Sequence, residues 1–177
     1  IGDATPEDVA AALLSVGFET EEIIYAGEEI QNVVTAKVID CKPHTNSDHL
    51  HICMVDTGSE ILQIVCGAPN VKEGVIVPCA LSGAKLPGGI EIKPGELRGV
   101  MSYGMLCSGS ELGVDDTVIK GAEVNGLLIL PTDTPLGTDI RKILGLDEYV
   151  LDVSVTANRP DCQSVVGLAR EVAASMG

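Results

Sequence analysis

His49, His51 and Cys53 alternate in the segment HTNSDHLHIC, with His44 at its start and Cys41 a few residues upstream. On an extended strand alternate side chains share a face, and imidazole nitrogen with thiol sulfur is a ligand set suited to zinc. The spacing matches no standard zinc arrangement, and no CxxC pair occurs. A core cysteine beside surface histidines accounts for the same residues, so no metal site is expected. The second stretch with chemical potential is KPGELRGVMSYGMLCSGSELG, residues 93–113, rich in glycine and serine. It opens with Lys93 and Arg98 and shows neither helical nor strand periodicity, which predicts an irregular loop held by a scaffold, the usual seat of binding residues. Gly99, Gly104 and Gly109 fit backbone positions of unusual dihedral or close approach. Met101 and Met105 fit irregular gaps in a core. No Walker loop is present, and no glycine-rich turn follows a strand to open a helix, so catalysis is not expected.

Composition limits what can position these residues. The chain has 177 residues, 45% of them hydrophobic, enough for one good core or two small ones and too apolar for disorder. No apolar run approaches the ~18–20 residues of a membrane span. The first residues carry no basic region ahead of their apolar stretch, so no secretory signal is read there. The missing initiator methionine reads as a fragment or processed product. One phenylalanine, three tyrosines and no tryptophan make the core aliphatic and leave little aromatic surface for stacking bases. Six cysteines lie in apolar runs, which reads as buried free thiols in a reducing, cytoplasmic setting.

The net charge of −15 is unevenly spread. Residues 1–32 have eight acids and no Lys or Arg, residues 33–145 have thirteen acids against nine bases, and residues 146–177 have five against two. The middle is therefore near balance between acidic flanks, and a strongly basic nucleic-acid surface is absent.

The elements divide the same way. Thr5 as N-cap, Pro6 and Asp8 predict a helix over residues 5–17, with Val9, Ala12, Leu13 and Val16 as its apolar stripe and Gly17 at its end. Phe18, Ile23 and Ile24 begin an extended segment. Short strands are predicted over 34–42, 52–56, 62–65, 76–80, 89–92 and 127–130, and many short strands at that spacing point to a small barrel. A strand over 149–155, a polar turn over 156–161 and a helix over 164–175 follow, the helix stripe being Val165, Leu168, Ala169 and Val172. In the turn TANRPDC, Asn158 and Arg159 are candidates for contact with a ligand or a neighbouring domain, Arg159 is also placed to pair with an acid, and Asp161 is the expected helix cap. Arg170 is expected in an ion pair between domains or subunits. Neither end buries a face alone, so the economical arrangement is a barrel (33–145) inserted into a small discontinuous α+β domain made of residues 1–32 and 146–177.

The stretches VVTAKVIDCKPHTNSDHLHICMVDTG, ILQIVCGAPNVKEG, ALSGAKLPGGIEIKPGELRGVMSYGMLCSGSELG and LPTDTPLGTDI resemble, in order, the tRNA-binding domain of bacterial phenylalanyl-tRNA synthetase β subunits, some methionyl-tRNA synthetases and free-standing tRNA-binding proteins. The ends, LLSVGFETEEI and LDVSVTANRPDCQSVVGLAREVAA, resemble the segments flanking that domain in the phenylalanyl β subunit, which identifies the chain as an N-terminal piece of that family lacking about a dozen starting residues.

This resemblance implies a β-rich α+β fold with an OB-type barrel, and a parent of two α and two β subunits that joins phenylalanine to tRNA with ATP and magnesium. It places the synthetic, editing and anticodon-contacting sites outside this chain, which has no HIGH-like or KMSKS-like motif and is expected to hold no cofactor itself. The implied partners are tRNA, the α subunit and the remaining β-subunit domains, with no membrane. Near the family's loops, Lys42, Lys85, Lys93 and Arg98 are the candidate phosphate contacts, and Asn46, Ser102 and Ser108 the candidate neutral hydrogen-bonding groups for phosphate or 2′-hydroxyl. The alternative for each is a solvated charge or a turn residue. Thr45 and His49 stand where the family often has proline and lysine, so the loop lacks a constant cation. An architectural or protein-docking module, and a free-standing OB-type RNA-binding protein, are the competing readings; the chain ends disfavour the latter.

Overall fold

The computed structural model describes residues 3–115, 117 and 125–177; by their internal contacts these form two units, one of the described residues up to 26 with 146–177, the other of those from 27 to 145.

In the first unit, helix α1 (Pro6–Ser15) starts on a complete capping box. Asp8 N–H donates to Thr5 Oγ1 at 3.2 Å and Thr5 N–H donates to the Asp8 carboxylate at 2.9 Å. Gly17 leaves the helix at φ +92°, a conformation that favours glycine. Strand β1 (Glu19–Tyr25) pairs antiparallel with the strand Tyr149–Ser154, numbered β10 in chain order. A two-stranded ribbon is marginal alone. Here Leu13, Phe18, Cys162 and Val172 form a core against it, joined by Leu151 and Val153. The last helix, α3 (Val165–Met176), is capped by Ser164, whose hydroxyl accepts the Gly167 N–H at 3.1 Å. That corrects the expected Asp161 cap, since Asp161 is taken up by Arg159. The stripe is corrected too: Leu168 and Val172 pack inward, whereas Val165 is 85% exposed and Ala169 is exposed.

The second unit is a curled sheet. Strands β2 (Gln31–Pro43), β3 (His51–Asp56), β4 (Ile61–Cys66), β5 (Ile76–Leu86) and β6 (Ile90–Glu91) run in the order β4-β3-β2-β5-β6. Residues Gly95–Leu97 (β7) and Val100–Ser102 (β8) form a hairpin, and β9 (Gly104–Leu106) pairs with β5. The expected irregular loop over 93–113 therefore contains three strands of three residues each, nine of its 21 residues, and the rest is turn or irregular. Arg98 and Gly99 both take positive φ, +52° and +87°, matching a two-residue hairpin turn whose twist suits the flanking strands. Leu-Arg-Gly-Val lacks the usual Asn-Gly signature of that turn, which hides the hairpin in the sequence. The predicted strand over 127–130 is also corrected. Leu127, Leu128 and Leu130 are buried, but the segment makes one isolated bridge, Ile76 to Leu130, instead of a ladder. Its backbone is held at separate points by the Asn70 side chain, the Cys107 carbonyl and the Ile76 carbonyl.

Closure of the barrel comes from β4 meeting the β8–β9 corner. The Tyr103 N–H donates to the Gln63 carbonyl at 2.9 Å, and Gln63 Nε2 donates to the Met101 carbonyl at 2.7 Å. Inside, Ala36, Val38, Cys53, Val55, Ile64, Val77, Cys79 and Leu106 pack as an aliphatic core. Ladders join β4-β3-β2-β5-β9, and the Tyr103 and Gln63 bonds bring the two ends together, which is the OB-type arrangement. Beside β2, where β3 ends, the segment before the short helix α2 (Ile140–Leu144) takes over the ladder. Thr35 N–H donates to the Thr138 carbonyl and Gly137 N–H to the Thr35 carbonyl. Gly137 is required there, because a Cβ would lie 2.9 Å from the Thr57 carbonyl oxygen.

Candidate nucleic-acid interface

In OB barrels the face of the second and third strands and the two loops beside it hold oligonucleotides. Here those loops are residues 44–50, between β2 and β3, and the β6–β8 excursion between β5 and β9. They are joined through His44. Its ring is 4% exposed, and Nδ1 accepts the Asn46 N–H at 3.0 Å. That fixes the neutral tautomer with the proton on Nε2, which donates to the Leu97 carbonyl at 3.3 Å. Asn46 Nδ2 then donates to the Arg98 carbonyl at 3.4 Å. Asn46 and Arg98, far apart in sequence, thus line one polar recess of about 250 Å³ with Thr45, Ser47, Asp48 and His49. Arg98 stays exposed while its backbone sits in the left-handed region, which costs about 1–2 kcal/mol for a residue with a side chain. Strain of that kind persists only where the surroundings impose it, and it concentrates at ligand-contacting positions.

A larger groove of about 860 Å³ opens between β4, the β6–β7 segment and the turn after β9. Lys93 is its basic lining residue, against Glu91, Glu96 and Glu111. Lys93 Nζ lies 3.1 Å from Glu91, and Lys42 Nζ lies 2.6 Å from Asp40, whose hydrogen bond raises the lysine pKa. Such exposed pairs are worth little to stability, but each cation comes with its own carboxylate. Lys85 is exposed on β5 opposite Glu91.

The two serine candidates are engaged in the scaffold. Ser102 is 5% exposed, accepts the Val65 N–H at 3.0 Å and donates to the Gly104 carbonyl at 2.9 Å. Ser108 Oγ donates to the Glu111 carboxylate at 2.9 Å and accepts the Glu111 N–H at 3.2 Å, beside the 3₁₀ turn Ser110–Leu112. Asn158 and Arg159 belong to the other unit. Asn158 Oδ1 accepts from Thr156 at 2.6 Å. The Arg159 guanidinium lies 3.0 Å from Asp161, 2.7 Å from Glu171, 3.1 Å from the Cys162 sulfur and 5.0 Å from the centre of the Phe18 ring. Arg159 pairs with two acids and covers the core phenylalanine. Arg170, expected in an ion pair, is exposed.

Among the described residues, one cluster brings three ligating groups together: Asp161, Cys162 and Glu171. Arg159 already bridges all three, so the site holds a guanidinium and does not suit a metal ion. His49, His51 and Cys53 do not converge in that way, and His44 is committed to the loop clamp. That clamp is what the sequence reading missed. Its one trace is the His-Thr-Asn order, a short polar run able to fold back on itself.

Residues 33–139 match the family model described as "Putative tRNA binding domain". The phenylalanine–tRNA ligase beta subunit of Clostridium acetobutylicum is 50% identical over 175 residues, 98% of this chain and 22% of that protein. That of Chromobacterium violaceum is 49% identical over 172 residues, 97% of this chain and 21% of the relative. The chain thus spans about a fifth of the length of these curated relatives. A crystal structure of a MetRS related protein from Pyrococcus horikoshii aligns at 21% identity with a TM-score of 0.42, over 62% of this chain and 87% of that one. With the family model matched across most of an OB-type barrel, this chain belongs to the tRNA-binding-domain family.

Proposed function

We propose that this chain is the accessory tRNA-binding and architectural module of a phenylalanine–tRNA ligase beta subunit. It supports ATP-dependent attachment of phenylalanine to tRNA, with the chemistry carried out elsewhere in the enzyme. The observation that carries the reading is the junction of the 44–50 loop with the Arg98 turn, which presents one strained, exposed cation beside Asn46 at the ligand-binding edge of an OB barrel. Phosphate or 2′-hydroxyl groups of tRNA are the partners such a recess suits. ATP and magnesium belong to the catalytic apparatus of the parent enzyme; the cluster around Arg159 does not suit a metal. The partners are tRNA, the alpha subunit and the rest of the beta subunit, in the cytoplasm.

A second reading has its own support. The large groove carries three glutamates against one lysine, and Lys42 and Lys93 are each neutralised locally. A protein-docking module with little RNA affinity fits that charge. The test is tRNA binding by the assembled ligase, wild type and Arg98→Ala, over a salt series. If Arg98 contacts tRNA, Arg98→Ala weakens binding and makes the salt dependence shallower by about one ion. Identical curves for both proteins reject the contact and leave the docking reading.

A further inference from the structure

We propose that Cys41 and Cys53 form a reversible disulfide across β2 and β3, a modification site reached by hydroperoxide oxidants. The two residues are direct partners in the antiparallel ladder, and their sulfurs lie 3.7 Å apart. Directly opposed residues in such a ladder have Cα atoms about 4.5–5.5 Å apart, inside the roughly 4.4–6.8 Å that disulfides span. The bond therefore needs side-chain rotation and no strand movement.

The two thiols differ in a way that assigns their roles. Of the six cysteines, five are buried and Cys41 is half-buried. Cys53 donates its S–H to the Cys41 sulfur, and burial, reinforced by Cys41, holds the Cys53 thiol protonated far above its ordinary range. Cys41, the more exposed sulfur, is thus the one that meets the oxidant, and Cys53 is the resolving thiol. The Cys41 sulfur attacks one oxygen of hydrogen peroxide, the O–O bond breaks, the thiol proton passes to the leaving oxygen, and Cys41 carries a sulfenic acid while one water is released. The Cys53 sulfur then attacks the Cys41 sulfur, the S–OH bond breaks, and the hydroxyl leaves as a second water with the Cys53 proton. Two thiols are oxidised by two electrons and one peroxide is reduced. Cys66, Cys79 and Cys107 are buried, and burial pushes each thiol up, Cys79 to about 12, so they do not compete.

The bond would cross-link the stem of the loop 44–50, three residues outside the His44–Leu50 closure. The inference does not depend on tRNA binding. The test is treatment of the folded chain with hydrogen peroxide, then alkylation, intact mass and peptide mapping. The expected result is a loss of two hydrogens per chain, a Cys41–Cys53 cross-linked peptide, and full reversal by dithiothreitol. Cys41→Ser should abolish the change, whereas Cys53→Ser should leave a sulfenic acid at Cys41 that dimedone traps. Circular dichroism of both variants separates loss of chemistry from loss of fold. Oxidation of a different pair, stable sulfinic acid at Cys41 in the wild-type chain, or no uptake while the fold is intact overturns the proposal.

Discussion

The Ser102 hydroxyl accepts the backbone N–H of Val65 at 3.0 Å, so a side chain makes the bond that a strand carbonyl would make where β4 meets β8. The same hydroxyl donates to the Gly104 carbonyl. At this corner the backbone runs too far out of line for a continuous ladder, because Gly104 must come so close to β5 that a Cβ would sit 2.7 Å from the Ala80 carbonyl oxygen.

Replacing Ser102 with Ala leaves the Val65 N–H buried and unpaired, which costs about 1–3 kcal/mol. Urea unfolding should show a lower midpoint with an unchanged slope. An unaltered midpoint would mean that water or a neighbouring group replaces the hydroxyl. A tRNA-contacting serine would instead affect binding and leave stability alone.

Thr35 is fully buried and clasps the segment after the barrel. Its hydroxyl donates to the Pro135 carbonyl at 2.5 Å and accepts the Thr138 N–H at 3.0 Å. Thr35→Val keeps the shape and removes both bonds, for a loss of about 1–3 kcal/mol. Hydrogen exchange at the Gly137 and Thr138 amides should accelerate more than exchange in β3. Uniform acceleration across the barrel would show that the segment is not an independent clasp.

Arg98→Gly separates the turn from its side chain. Glycine takes positive φ freely, so the variant should be as stable as wild type or up to about 1 kcal/mol more stable. The tRNA affinity of the assembled ligase should nonetheless fall. Undiminished affinity at low salt would leave Arg98 as a turn residue alone.

The Arg159 knot predicts a pH effect. The hydrogen bond from Arg159, then that from Cys162, depresses the Asp161 carboxyl to about 2, from 3.8 for a free carboxyl. A depressed carboxyl stabilises the fold fully above its unfolded value and loses that contribution as pH falls through its folded one. The thermal midpoint should therefore drop between pH 3.8 and about 2, and Arg159→Met should flatten that drop. Phe18, the single phenylalanine, lies under the guanidinium and gives the NMR signal that reports the event. Equal acid limbs in both proteins would remove Asp161 from the account.

The first helix was legible because its signals are local: Thr5, Pro6 and Asp8 cap it within four residues, and capping depends on neighbours alone. The β2, β3 and β4 strands were legible because they are short apolar runs bounded by Gly, Pro, Asn and Asp. The family resemblance covered the same residues. The β7–β8 hairpin was not legible, because its strands have three residues each, β7 is wholly exposed, and its turn uses Arg98 where the pattern expects asparagine.

The roles of the candidate residues were decided in three dimensions. Serine and arginine look alike to a sequence whether they face a ligand or the scaffold. The fold sends Ser102 into the barrel seam, Ser108 onto Glu111 and Arg159 onto Phe18, and it leaves Arg98 outside beside Asn46. The sequence by itself determined the barrel, its acidic flanks and the aliphatic core, since these follow from composition and short-range pattern. Which cations stay free, which hydroxyls close the structure and which two thiols touch depend on contacts between residues far apart in the chain. Those contacts exist only once the chain has folded: β3 paired on β2 for the thiols, β4 against the β8–β9 corner for Ser102, and Phe18 under the Arg159 guanidinium in the other unit.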